Sequence, residues 1–249
     1  MDKVEKYLRV RIDMLCEERL KNDNEVAHMV IDTWEEVNDY IDSGFLQISM
    51  SQFEHIVQHS SLYPKHAFSK GQLASKSWLL KELYRVIPLQ PNATVIILGS
   101  WIGSLVDPLH RALSIERIYG VDADPTALDL SERLNQKYLA GWRYKGVVAD
   151  ATELDLSNCE FETGGELISV KPDWIINTSA EHMSTDWFDT IDNNQLCIMQ
   201  TNNSENFEGH INTCSSIEDM QTKYPLTKTH YVGSMITPAY TRYMQIGYK

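Results

Sequence analysis

The sequence predicts an α/β protein: a doubly wound parallel sheet, closed by a C-terminal β-hairpin and preceded by a helical region. Three observations predict it. The uninterrupted apolar run Val95-Ile96-Ile97-Leu98 reads as a strand buried on both faces, as in a parallel sheet. It ends at Gly99, with Gly103 close behind, and a helical pattern follows. From there to the C-terminus strand-like and helix-like runs alternate, until two β-rich runs, 230–235 and 240–248, meet across Ile236-Thr237-Pro238-Ala239 as an antiparallel pair.

Taken in order, residues 1–90 read as helical. Val4, Leu8, Ile12 and Leu15 recur at helical spacing, as do Val26, Val30, Trp34, Val37 and Ile41, with Asn22 or Asp23 as an N-cap and Gly44 as a stop. A shorter segment, 51–59, carries Phe53, Ile56 and Val57 on one side. Ser69-x-x-Gln72 forms a capping-box pattern opening a helix through Trp78, Leu80 and Leu83. On that helix Lys70, Gln72 and Lys76 read as solvated surface, the alternative being that one of them reaches a ligand's carboxylate. Pro88 and Pro91 close it and mark a boundary.

Strand one is 95–98, and its helix is expected to open at Asp107-Pro108, an N-cap followed by proline at the first helical position. Strand two is 118–121, followed by a helix over 125–139 carrying Ala127, Leu128, Leu130, Leu134 and Leu139. Strand three, 146–148, leads to Asp150; strand four, 173–176, leads to Asn177; strand five is 195–200.

Composition bounds the function. The chain has 249 residues, enough for one large α/β domain with an appendage. With 35 acids against 22 bases the net charge is −13, a field that repels nucleic acid, and no Lys/Arg run offsets it. A small molecule or a protein is the expected substrate. No apolar run approaches the ~18–20 residues of a membrane span. The N-terminus mixes acids with bases and has no small-residue cleavage site, so a cytoplasmic protein is expected. The four cysteines, Cys16, Cys159, Cys197 and Cys214, are scattered and read as buried or idle thiols. His55 and His59 have H-x-x-x-H spacing but no acidic partner of evident role, so no metal site is expected.

The turn after strand one is where a ligand would approach. A glycine turn between strand and helix brings the backbone close to a bound group and points helix N–H donors at it. Asp122 ends strand two, 23 residues after Gly99, and a carboxylate there can accept from both hydroxyls of a ribose. A dinucleotide fingerprint would need glycines at 99, 101 and 104, where the chain has Gly99, Trp101 and Ser104. The S-adenosylmethionine pattern [DE]-x-G-x-G-x-G falls on Ile97, Gly99, Trp101 and Gly103 and matches two of four positions. A βαβ turn that binds nothing is the plain alternative.

These units together resemble the class I S-adenosylmethionine-dependent methyltransferases, a Rossmann-like doubly wound fold with a C-terminal hairpin; the resemblance covers 91–249. In that family an acid ends strand two, an Asp with a small neighbour follows strand three, and a polar residue ends strand four. Asp122, Asp150-Ala151 and Asn177 stand at those places. The resemblance implies cofactor contacts from Gly99, Ser100, Gly103, Asp122, Ala123, Asp150, Ala151 and Asn177. Ile97 replaces the usual acid and weakens the contact expected at the methionine end. Trp101 replaces the middle glycine, so its indole must point away from the ligand or stack on it. The segments NTSAEHM and MQTNN are similar to segments of uncharacterised methyltransferases from viral genomes.

The densest polar cluster is Asn177-Thr178-Ser179-Ala180-Glu181-His182-Met183, after strand four, at the strand ends where open α/β sheets bind ligands. His182 would be a general base taking a proton as a methyl group is transferred, and Glu181 would orient it or bind a cationic substrate. The alternative is a helix-capping loop with Thr178 or Ser179 as cap. The amides of Gln200 to Asn203 either bind substrate or form a turn.

The reading is a methyltransferase using S-adenosylmethionine on a small molecule, with 1–90 as a helical cap or lid and 91–249 as the cofactor domain. A sulfonium methyl is already activated, so alignment and one base suffice. Two rivals remain: a binding or regulatory protein of the same fold without catalysis, and a nucleotide-cofactor oxidoreductase, disfavoured by the missing glycines. The sequence leaves the methyl acceptor and the oligomeric state open, a homodimer included.

Overall fold

The computed structural model describes residues 49, 52, 55–56, 59–64, 66–163, 165–237 and 239–249. Two compact units divide the chain, Met1–Trp78 and Leu79–Lys249. The helices expected through 4–15 and 26–41, and Cys16, lie outside the described residues. Helix α1 (Lys70–Val86) begins one residue after Ser69, as the capping pattern predicts. In the first unit Lys76 is buried, and its Nζ donates to Gln72 Oε1 at 2.6 Å. That differs from the solvated lysine expected: a residue four positions away supplies the acceptor that a buried ammonium needs.

The second unit is built on β1 (Thr94–Leu98), β2 (Arg117–Asp122), β3 (Tyr144–Val148), β6 (Trp174–Asn177), β7 (Leu196–Asn202), β8 (Lys228–Ile236) and β9 (Thr241–Tyr248). Their order across the sheet is β3-β2-β1-β6-β7-β9-β8. The first five are parallel, and β9 runs antiparallel between β7 and β8. The chain moves outward from β1 to β3, then returns to β6 on the other side of β1. That reversal is the switch point at which open sheets form a ligand crevice. Register fixes what meets there: Leu98 pairs with both Val121 and Asn177, bringing Gly99, Asp122 and Asn177 to one level of the carboxyl edge.

The central strands are buried on both faces, which explains why they read as continuous apolar runs. Ile96, Leu98, Tyr119, Val121, Ile175, Cys197 and Met199 pack in one cluster with Phe161, Trp187, Phe188, Met220 and Tyr224. Val95, Ile97, Ile118, Trp174, Ile176 and Ile198 are buried as well. Trp174 Nε1 donates to Gln90 Oε1 at 2.8 Å, pinning the proline-bounded connection after α1 to the core. Cys159, Cys197 and Cys214 are buried free thiols, as expected, and burial pushes the Cys159 thiol up to about 12.

Three details differ from the sequence expectation. Helix α2 (Val106–Leu113) opens before Asp107, so that residue is not a cap. Its carboxylate is fully buried and accepts from Arg111 Nε at 2.7 Å and Tyr138 Oη at 2.9 Å, with Lys137 paired to it. Those partners hold the Asp107 carboxyl below its ordinary range even though burial alone would raise it. Helix α3 (Pro125–Leu134) stops short of 139, because the Asn135 side chain donates to Ser131 O and across to Gly103 O; two 3₁₀ turns follow.

A hairpin, β4 (Cys159–Thr163) with β5 (Glu166–Val170), stands where no strands were expected. Cys159, Phe161 and Val170 bring it into the core cluster. Strand β6 is followed by a 3₁₀ turn (Ala180–His182) and the single turn α4 (Asp186–Asp189), and β7 by the short helix α5 (Ile217–Lys223). The bulky aromatics Phe161, Trp187, Phe188 and Tyr224 from these segments are buried in the core cluster. No helix among the described residues is long and apolar enough to cross a membrane.

Candidate functional site

The loop after β1 takes left-handed backbone at Gly99 (φ 58°), Trp101 (φ 50°) and Gly103 (φ 65°). A tryptophan in that region is costly unless the surroundings fix it. Asp122 does so: its Oδ2 accepts the Trp101 amide at 2.7 Å, while Oδ1 accepts the Asp124 amide at 3.0 Å. Ser100 N donates to Val121 O at 3.0 Å, lacing the same loop to β2. The helix cap in VDADP is Asp124, whose Oδ1 accepts from Thr126 N at 2.8 Å with Pro125 at the first helical position. That leaves Asp122 to the loop.

Gly103 faces α3, and a β-carbon there would meet Ser131 and Asn135 side chains. Its glycine character therefore serves the close approach of the loop to that helix. Ala123 is exposed. Asp150 is exposed and bonds the Thr152 amide (2.9 Å) and hydroxyl (2.7 Å), which hold its carboxyl below the usual range. Ala151 is buried, and Ala149 N donates to Asp122 O at 3.1 Å, so the end of β3 is joined to the end of β2.

On the other side of β1, Asn177 is buried; its Oδ1 accepts Ser179 N at 2.9 Å and its Nδ2 meets Met183 Sδ at 3.2 Å. Ser179 Oγ donates to Gly99 O at 3.2 Å. Gly99, Ser100, Trp101, Asp122, Asn177 and Ser179 thus form one hydrogen-bonded rim at the switch point. Ile97 is buried in β1 and puts no carboxylate there.

Glu181 and His182, adjacent in sequence, face different surroundings. The Glu181 side chain is 4% exposed; Oε1 accepts from Asn202 Nδ2 at 2.6 Å and pairs with Arg242 Nη2 at 3.4 Å. Arg242, 5% exposed, also donates to Thr178 O at 2.6 Å. His182 is exposed, with Nδ1 3.2 Å from Gly209 O and its ring edge-on to His210, centroids 4.6 Å apart. Glu181 is therefore set by Asn202 and Arg242, and a backbone carbonyl, not Glu181, fixes the His182 ring.

Ser179 is the residue before the 3₁₀ turn but makes no side-chain cap. The amides at the end of β7 are used internally: Asn202 on Glu181, and Asn203 Oδ1 on Thr241 N at 2.9 Å. Arg242 and His210 belong to this neighbourhood and escaped the sequence reading. An arginine amid the apolar register of the last strand, RYMQIGY, is the signal for the first; nothing local marks His210.

No protein-family model matches the sequence, and no curated protein does either. Solved structures do. The geranyl diphosphate C-methyltransferase of Streptomyces coelicolor A3(2), in complex with Mg2+, geranyl diphosphate and S-adenosyl-L-homocysteine, is similar at a TM-score of 0.53 and 13% identity, over 77% of this chain and 86% of that one. A geranyl diphosphate methyltransferase in complex with S-adenosylmethionine gives 0.53 and 12%, over 76% and 94%. A geranyl diphosphate methyltransferase with geranyl diphosphate and sinefungin gives 0.52 and 12%, over 71% and 78%. The fold is that of the class I S-adenosylmethionine-dependent methyltransferases; in this chain the hairpin β4–β5 lies between β3 and β6 in sequence.

Proposed function

We propose that the chain binds S-adenosylmethionine at the switch point and transfers its methyl group to a small molecule. The observation that carries this reading is the rim itself: Asp122, at the carboxyl end of β2, is tied to the left-handed loop after β1 at the place where this fold forms its crevice. Each carboxylate oxygen bonds one amide and keeps a second lone pair for a ribose hydroxyl. Gly99, Ser100 and Gly103 shape the loop around the methionine end, Ala123 lies beside the ribose, Asp150 and Ala151 lie at the adenine, and Asn177 closes the floor. The similar structures, solved with S-adenosylmethionine, S-adenosyl-L-homocysteine or sinefungin, support the same cofactor.

His182, with its Nδ1 proton held by Gly209 O, presents Nε2 as the base for an acceptor's proton. Glu181 shapes that end of the crevice from beneath. Residues 1–90 are proposed as the cap over the carboxyl edge, on the strength of the apolar stripes in their sequence. Calorimetric titration with S-adenosylmethionine, S-adenosylhomocysteine and NAD tests the reading: the first two bind, NAD does not, and Asp122→Ala weakens both sulfur ligands at least tenfold. Preferential NAD binding overturns it. A second reading, binding without transfer, is favoured by Ile97, which puts no acid at the methionine end; cofactor binding without methyl transfer across a panel of small acceptors would decide for it.

A further inference from the structure

We infer that Glu181, His182 and His210 form a binding site for a divalent transition-metal cation at the carboxyl edge of the sheet. One ligand atom from each of the three residues lies within 4.8 Å of the others. Closing onto an ion at ~2.1 Å asks for a contraction on the order of 1 Å. An exposed His182 and a half-buried His210 can supply that by small rotations.

Three features turn proximity into a site. First, both imidazoles have their tautomer set by a backbone carbonyl. His182 Nδ1 lies 3.2 Å from Gly209 O, and His210 Nδ1 lies 2.6 Å from Ser204 O. A carbonyl oxygen only accepts, so each Nδ1 carries the proton and each Nε2 keeps its lone pair. Metal-binding histidines are oriented in just this way by a partner on the other ring nitrogen. Second, Glu181 Oε1 is held by Asn202 and Arg242, while Oε2 is buried and, among the described residues, has no hydrogen-bond partner. A buried carboxylate oxygen left without a donor is costly, and a cation satisfies it. Third, the backbone is shaped for this contact. Gly209 takes φ 81°, and a β-carbon there would lie 3.4 Å from His182 Nδ1, so glycine lets the carbonyl come up under the ring.

The donor set also selects the ion. Two neutral imidazoles and one carboxylate already paired with a guanidinium bring little net negative charge. They suit borderline N/O-binding cations such as Zn2+ or Co2+ over Mg2+, which prefers an all-oxygen shell. Three protein ligands leave at least one position open to water or to a substrate oxygen. The 3₁₀ turn bearing Glu181 and His182 directly follows Ser179, whose hydroxyl bonds Gly99 O, so that open position adjoins the proposed crevice. Resting on the methyl-transfer reading, the ion would replace the imidazole as the group that activates the acceptor. The two assignments of His182 then separate by experiment, because a base is needed only for transfer and a ligand also for ion binding.

The test uses full-length protein stripped with chelator and titrated with Co2+, followed by its visible absorption and by calorimetry, then challenged with Zn2+ and Mg2+. One Co2+ per chain is expected, displaced by Zn2+ and not by millimolar Mg2+. His182→Ala and His210→Ala each weaken it at least tenfold. His59→Ala, at the histidine pair elsewhere in the chain, leaves it unchanged. Melting temperatures of the metal-free variants report whether they fold. Absence of saturable binding, binding that survives both variants in folded protein, or equal competition by Mg2+ overturns the site. Calorimetry of the same proteins with S-adenosylmethionine keeps the two proposals apart: if the cofactor fails to bind while Co2+ binds at these residues, the methyl-transfer reading falls and the metal site stands.

Discussion

Asp122 and Asp107 are both acids that close a local network, and their replacement separates ligand binding from stability. Asp122→Ala removes the acceptor for the Trp101 and Asp124 amides and, in the function proposed above, for a ribose hydroxyl pair. Charge-assisted bonds are worth ~1.5–3 kcal/mol each, so S-adenosylmethionine affinity falls at least tenfold by calorimetry while the protein still folds. Asp107 lies away from the rim and is fully buried among Arg111, Lys137 and Tyr138. Asp107→Asn keeps its shape and loses its charge. Because Arg111 and Lys137 are partly exposed and can turn to water, the loss is about 2 kcal/mol rather than the full cost of an orphaned buried ion. A lower urea midpoint with unaltered cofactor affinity is the expected outcome.

Among the elements, the loop after β1 depends on how closely it approaches α3. Gly103 is left-handed and its α-carbon faces Ser131 and Asn135, while Asn135 Nδ2 bonds Gly103 O at 3.0 Å. Gly103→Ala adds a left-handed strain of ~1–2 kcal/mol and a clash with both side chains. The loop must then move off the helix, and Trp101 moves with it. We expect a stability loss of at least about 2 kcal/mol together with weakened S-adenosylmethionine binding. Ser131→Ala in the same background makes room and should restore part of the stability, a coupling that a double-mutant cycle measures.

For the whole molecule, acid sensitivity has an identifiable origin. His110 on α2 is buried, stacked on Tyr138 with ring centroids 4.2 Å apart, and its Nδ1 donates to Ile115 O at 2.8 Å. Burial first, and the Arg143 cation beside it, lower its pKa from 6.5 to about 4. Between those values the unfolded chain takes a proton that the folded chain refuses. Stability is therefore intact above pH 6.5 and declines as pH falls toward 4, by up to ~1.4 kcal/mol per pH unit. His110→Gln should flatten that slope in urea unfolding measured across pH, whatever it does to stability at neutral pH. The lowered Asp107 carboxyl acts in the same direction but at more acid pH, below its ordinary 3.8.

The N-terminal region is tested at the same scale. Leu79, Leu80, Leu83 and Ile87 on and just after α1 are buried within the full chain. A fragment of residues 1–90 lacks the sheet, and we expect it to melt without cooperativity; a sharp transition would show an independent domain and end the cap proposal.

The sequence by itself determined the parallel core and its rim. Runs such as Val95–Ile96–Ile97–Leu98 and Asp173–Trp174–Ile175–Ile176 admit little but strands buried on both faces, and the acid, Asp and Asn that end successive strands follow at their carboxyl edge. The strand–helix rhythm gives no place to the hairpin β4–β5, although CEFET and ELISV flank two glycines, and only the structure shows it. Tertiary structure alone decided the partners. Glu181 meets Arg242 across 61 residues and Asn202 across 21, and His182 meets His210 because the loop after β7 folds back onto the turn after β6, where Ile211 N donates to Glu181 O at 2.9 Å. Asp107 looked like a cap and became the centre of a buried network, since its partners Lys137 and Tyr138 arrive from beyond the next helix. Periodicity and strand-end chemistry act over a few residues and can be read along the chain, whereas the donor that satisfies a buried charge is chosen by the sheet order that brings distant strands side by side.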